Sequence, residues 1–237
     1  MKKKILKALL VVALAVLAVT GWIVYQGYEE YTRAIAERPV TQMFADEMAE
    51  DDFVYADQLP EMLKASVIAT EDARFMTRWT TLDYIALSRA TLRNIQNLSY
   101  VEGGSTIPQQ IAKNFYFGDE MTLRRKVAEY FVARDMLKTF SKEEILAIYI
   151  NMNYYGDGYD GLEAATHGYF GVDPIDLTDA QATILAGIPQ APSHYQLSTN
   201  YEGAKARQRH VLNRLVKTKV ITEARAQEIY DTDIYGG

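Results

Sequence analysis

The chain has 237 residues, 49% apolar and 24% charged, with 25 basic against 31 acidic side chains and no cysteine. That balance excludes a disordered or collagen-like chain and leaves ample length for a core. Without cysteine there are no disulfides, thiol nucleophiles, cysteine-type zinc sites or lipidated cysteine anchor, and His167, His194 and His210 are too scattered for a histidine metal cage.

Residues 1–7 form a basic tail with Lys2, Lys3, Lys4 and Lys7. The uncharged run from Ala8 to Tyr25 is about 18 residues long, near the ~20 that cross a hydrocarbon core. A cleaved signal peptide has a shorter apolar core of roughly 7–15 residues, and Ala18-Val19-Thr20 is a poor cleavage site. Trp22 and Tyr25 suit the membrane interface. Residues 8–25 are therefore expected to be an uncleaved signal anchor rather than a removed signal. The lysines ahead of the span predict a cytoplasmic N-terminus with the remainder outside. Without those four lysines, 21 basic face 31 acidic residues. A body that acidic excludes non-specific nucleic-acid binding, and an anionic ligand would need a local cationic cluster.

Residues 26–54, polar and acidic with scattered aromatics, read as a stalk. Beyond them the periodicity is helical and strand-like alternation is nearly absent, so the fold class is mainly α. An apolar run from Leu63 to Ala69 is followed by a helical face through Leu82, Ile85, Ala86, Arg89, Leu92 and Ile95. Another runs over 122–139. Ser141 to Glu144 and Thr178 to Gln181 are capping boxes opening two helices, the second continuing until Pro189. Gly203–Lys219 and Thr222–Tyr230 predict two amphipathic helices in a tail spanning 196–237.

Four segments combine polar density with helical context. Glu71 and Asp72 are adjacent carboxylates, with Arg74 and Phe75 after them. Gly103 to Asn114 begins with paired glycines and continues through Ser105, Thr106, Gln109, Gln110, Lys113 and Asn114. In a helix Gln109 neighbours Lys113 and Gln110 neighbours Asn114, a display suited to sugar hydroxyls or phosphates. Arg124, Arg125 and Lys126 are the densest basic patch past the N-terminus, with Arg125 one turn before Glu129. Lys142 to Asn151 is the fourth. Singly, each charged segment reads more readily as a solvated face than as a site. Together they offer two candidate carboxylates, Glu71 and Glu129, and an anion site, which suits glycosyl transfer or hydrolysis. Gly156 to Gly161 spells G-x-G-x-x-G but follows a helix and carries Asp157 and Asp160, so a turn is expected there rather than a nucleotide or calcium loop.

In order, these segments resemble the peptidoglycan glycosyltransferases of family 51, found as monofunctional transglycosylases and as the polymerase module of class A penicillin-binding proteins. The matching pieces are Glu71-Asp72-x-x-Phe75, Gly103 to Gln110 with Lys113-Asn114, Arg125-Lys126-x-x-Glu129, and Lys142-x-x-Ile145-Leu146-x-x-Tyr149-x-Asn151. Gly161 to Ala165 with Tyr169-Phe170-Gly171 is a fifth. They span residues 55–195, the expected catalytic domain.

The resemblance implies a lysozyme-like lobe with a smaller membrane-proximal jaw lobe and an N-terminal transmembrane helix. It implies polymerisation of lipid II into glycan strands by inverting transfer, with release of undecaprenyl pyrophosphate at the outer face of the cytoplasmic membrane. Glu71 would be the general base on the acceptor hydroxyl, and Glu129 would act on the donor side. Lys113, Arg125 and Lys126 would compensate phosphate charge. Ser105, Thr106, Gln109, Gln110 and Asn114 would shape the cleft, and Asp72 and Phe75 would support Glu71. No resident cofactor is required; a divalent cation, Mg or Mn, would accompany the pyrophosphate. Penicillin-binding transpeptidases fit as partners, since no S-x-x-K or K-T-G motif occurs in the sequence.

The chain departs from the family pattern at several points. Arg78 and Thr80 stand where His and Gly are usual, Met121 where an Arg is common (with Arg124 a candidate substitute), and Ala147 where Glu is common. A glycan hydrolase or lytic transglycosylase, or an inactive membrane-tethered scaffold, are the rival functions.

Overall fold

The computed structural model describes residues 2–97, 99, 103–118 and 120–235. The chain is built from helices, and the described residues contain no strand, only an isolated bridge between Tyr154 and Asp160. Helix α1 (Lys2–Glu37) is long and apolar enough to cross a membrane, and its described residues through Tyr25 are almost wholly uncovered by the rest of the chain.

The expected stalk is instead part of the folded body. Helix α1 runs unbroken past the apolar span and lies along α6 (Leu123–Thr139). The aromatics scattered through this stretch are its anchors. Tyr28 meets Phe131 edge-on and Tyr31 meets it at a tilt, with ring centroids 5.1 and 5.3 Å away, and the Tyr31 hydroxyl donates to Asp135. Helix α2 (Val40–Glu47) buries Val40, Met43 and Phe44, and the Phe44 ring stacks on Phe140 at 3.7 Å. Phe53 and Val54 are buried as well. These side chains have apolar area to hide, and the polar residues between them face solvent.

Gly27 marks the tightest approach of α1 to α6. A Cβ there would fall 2.5 Å from Val127 Cβ and 2.6 Å from the Arg124 carbonyl oxygen. Overpacking of this kind costs about 1–3 kcal/mol. Gly27→Leu is expected to lower the melting temperature by roughly 2–10 °C. Unchanged melting in scanning calorimetry would show that the two helices can separate at no cost.

The predicted helices form with small shifts at their ends. Glu61–Glu71 is α3 and Tyr84–Asn97 is α4. Helix α5 (Ile107–Ala112) follows the paired glycines. The Thr122 side chain caps α6, and the Ser141–Glu144 capping box opens α7 (Lys142–Asn151). Helix α8 covers Leu162–Phe170. The Thr178–Gln181 box opens α9 (Asp179–Leu185), which ends before the expected Pro189. A proline ring collides with the carbonyl four residues back, here Leu185, so α geometry stops there and Ile188–Gln190 forms a short 3-10 turn.

Residues 196–237, expected as a tail, also belong to the main core as far as they are described. Helix α10 (Tyr201–Lys217) buries Ala204, Gln208, Val211, Leu212 and Leu215 and packs on α3 and α9, with α11 (Glu223–Asp231) beside it. The G-x-G-x-x-G segment is a turn, with Gly156, Asp157 and Gly158 all at positive φ. The Asp157 carboxylate accepts hydrogen bonds from Tyr169 Oη at 2.8 Å and from the Ser198 amide and hydroxyl. Burial raises the Asp157 pKa, but these bonds outweigh it and hold the group below the usual carboxylate range.

Candidate active site

Helix α5 lies against both α6 and α7, and its approach segment, Gly103 to Thr106, is extended. Gly104 is required for space, because a Cβ would meet the Leu87 Cα of α4 at 3.1 Å. Thr106 and Gln109 then form a capping box, with Gln109 Oε1 accepting from the Thr106 amide at 3.1 Å and its hydroxyl at 3.2 Å. Both residues are buried, so they build the helix start rather than face a ligand.

The two candidate carboxylates sit near the two ends of this segment. Glu71 ends α3 with its side chain 25% exposed. Gln110 Nε2 donates to Glu71 Oε2 at 3.2 Å, and Tyr149 Oη donates to Gln110 Oε1 at 3.3 Å. Burial first, and then the Glu71 charge, push the Tyr149 phenol well above its usual pKa, so it remains a neutral donor. A cation beside Glu71 is Arg207 of α10, with Nη2 4.0 Å from Oε1 and Nε donating to the Gly187 carbonyl at 3.2 Å. Arg214, also on α10, donates from Nε to the Ala69 carbonyl at 2.9 Å near the end of α3.

Glu129 is wholly buried on α6. Lys126 Nζ lies 2.7 Å from Oε2 and Arg125 Nε 3.1 Å from Oε1. Two cations beside it supply counter-charge to a carboxylate taken out of water. Lys126 also donates to Ser105 Oγ at 3.1 Å and is 42% exposed, so its charge reaches solvent. Arg125 is buried, and Nη1 donates to the Gly118 carbonyl. Its guanidinium is therefore engaged by the protein, beside Glu129 and away from solvent.

The expected pairing of Gln109 with Lys113 and Gln110 with Asn114 on an exposed α-helical face is also modified. The α-helix ends at Ala112 and a π-helical turn spans Lys113–Phe117, a feature frequent at functional sites. Gln109 is buried while Lys113 is half-buried, and Asn114 is exposed with Nδ2 3.8 Å from Met152 Sδ.

Asp72 and Phe75, which follow Glu71 in the chain, are buried. Asn151 joins motif to core by accepting from the Val54 amide at 3.0 Å and donating to its carbonyl at 2.9 Å. Arg124, the candidate substitute at Met121, pairs instead with Glu30 of α1 and with Glu120. Two residues of the site went unrecognised in the sequence. Arg207 lies in the supposed tail, and Arg78 stood out only as a departure from pattern. Ligand-type side chains do converge at Glu163, His167 and Asp173, with His167 Nε2 2.8 Å from Glu163 and 3.3 Å from Asp173. They lie on α8 and the turn after it, on elements other than those carrying Glu71 and Glu129.

One open carboxylate held by an amide, and one buried carboxylate held by cations, are the equipment of acid–base chemistry on glycosidic bonds. A family model described as transglycosylase matches residues 37–216, and the chain belongs to that family. Its matched range reaches into both the supposed stalk and the supposed tail. Penicillin-binding protein 1A of Neisseria gonorrhoeae is 36% identical over 211 residues, 89% of this chain and 26% of the relative. Penicillin-binding protein 2D of Bacillus subtilis is 39% identical over 173 residues, 73% of this chain and 25% of the relative. The chain thus spans about a quarter of the length of these relatives. A crystal structure of penicillin-binding protein 1A from Haemophilus influenzae aligns over 77% of this chain and 17% of that one at 20% identity with a TM-score of 0.44. The family assignment rests on the sequence matches.

Proposed function

We propose that this protein is a monofunctional peptidoglycan glycosyltransferase that polymerises lipid II into glycan strands and releases undecaprenyl pyrophosphate. The observation that carries this reading is that one short segment touches both groups: Gln110 holds Glu71, and Ser105 accepts from Lys126, the partner of Glu129. Glu71 would remove the proton from the acceptor hydroxyl as it attacks the anomeric carbon with inversion. The exposed charge of Lys126, oriented by Glu129 and Ser105, would meet the departing pyrophosphate, with Lys113 and Asn114 on the following turn. A divalent cation, Mg or Mn, would arrive on the pyrophosphate as part of the substrate. Helix α1 would anchor the chain in the cytoplasmic membrane with the N-terminus inside and the catalytic body outside. A separate transpeptidase would cross-link the strands.

The test is incubation of the full chain in detergent with lipid II and, separately, with finished glycan. Growth of polymer and release of undecaprenyl pyrophosphate are expected, with finished glycan left intact. Cleavage of glycan would establish a hydrolase or lytic enzyme instead. No reaction with either, even with divalent cation present, together with partner binding kept in Glu71→Gln, would favour a scaffold.

A further inference from the structure

The segment between α3 and α4 contains a buried ion network that the proposed chemistry does not use. Asp72, Arg78 and Asp83 have side chains only 1%, 8% and 5% exposed. Arg78 grips Asp72 with both arms, Nη1 to Oδ1 at 2.6 Å and Nη2 to Oδ2 at 2.9 Å. Its Nε donates to the Thr80 carbonyl at 2.8 Å, and its own carbonyl accepts from Lys142 Nζ at 2.6 Å. Nη1 also lies 3.8 Å from Asp83, whose carboxylate is held by Arg74 and accepts from the Ile85 and Ala86 amides opening α4.

Asp72 has a second task. Its Oδ2 accepts the Ile107 amide, the first of α5, at 3.2 Å. Three residues further along α5, Gln110 holds Glu71, and Glu71 precedes Asp72 in the chain. The path from Glu71 through Asp72, Ile107 and Gln110 back to Glu71 is a closed loop. Without Arg78, Asp72 would be a buried carboxylate lacking its bidentate partner, driven to rotate toward water, and that rotation loosens the loop. A lysine cannot replace the planar fork, because it offers one point charge to two oxygens.

We propose that Arg78 is a positioning residue for the base: it clamps Asp72 onto the start of α5 and so fixes Gln110 and Glu71 relative to each other. This deepens the function proposed above and, for turnover, rests on it. The clamp acts through Asp72 and touches no substrate.

The test uses the full chain in detergent and the variants Arg78→Lys, Arg78→Met, Asp72→Asn and the Arg78→Met/Asp72→Asn double. Arg78→Lys is expected to speed amide hydrogen exchange at Ile107, Gln109 and Gln110 about tenfold with α10 unchanged. It should also lower kcat for lipid II about 10- to 100-fold while leaving KM within about twofold, as expected for a misplaced catalytic group. In the double variant the effects should be non-additive, with kcat no lower than in the slower single variant. Exchange at those three amides matching the unaltered chain, a loss confined to KM, or additive single effects would each overturn the proposal. If Arg78→Met does not fold, the Arg78→Lys exchange and kinetics decide alone. If the unaltered chain fails to polymerise lipid II, the proposed function falls, and the exchange measurement still decides the clamp.

Discussion

Glu71→Gln is expected to reduce lipid II polymerisation by about 10²–10⁴-fold, the range that a positioned general base supplies. The substitution keeps the side chain's size, and its remaining carbonyl can still accept from Gln110 Nε2, which binds Glu71 Oε2 at 3.2 Å. What disappears is the ability to take up the acceptor's proton. The side chain is partly exposed and sits at the end of α3, with little packing to lose, so the melting temperature should stay within about 2 °C of the unaltered protein. Single-turnover assays and calorimetry check both halves. Polymerisation within tenfold of normal would remove Glu71 from the role of base.

Glu129→Gln should behave differently. Its carboxylate is fully buried between Lys126 and Arg125, so the neutral amide leaves a buried guanidinium short of its counter-charge. Breaking a buried ion pair from one side costs about 3–5 kcal/mol. For a chain of this size that corresponds to a fall in melting temperature of roughly 6–20 °C. Turnover should fall too, because Lys126 loses the partner that aims it past Ser105. Expected, then, is joint loss of stability and activity, against the nearly pure loss of activity at Glu71. A Glu129→Gln protein that melts normally yet turns over poorly would place Glu129 in the chemistry alone.

Much of this was legible in the chain itself. Capping boxes at Ser141 and Thr178 are local, since the hydrogen bonds that make them join residues three apart, and both formed where expected. The apolar run after Lys7 needs only length and composition to be read as a membrane-crossing helix. Glu71 and Glu129 stand out in ordered motifs; the structure sets Glu71 beside Gln110 and Glu129 beside Arg125 and Lys126 of its own helix.

Long-range contacts were less visible. Residues 26–54 looked like a stalk because their apolar groups are sparse, yet a few aromatics suffice when α6 supplies Phe131 and Phe140 as partners. The tail looked detached for a similar reason, although its helix carries Arg207 to Glu71 and Arg214 to the end of α3 across most of the chain length. Arg125 and Lys126 are adjacent and identical in formal charge, but helix geometry buries one and leaves the other reaching solvent.

The sequence by itself determined the helical class, the starts of its capped helices, the apolar anchor and the two candidate carboxylates, because those signals come from periodicity, short-range hydrogen bonding and residue chemistry. Only the tertiary structure decided which cations reach which carboxylate, that Asp72 is held by Arg78 at the start of α5, and that residues 26–54 and 196–235 belong to the same body. These depend on burial and on partners as many as 145 positions apart, and local residue order carries no record of them.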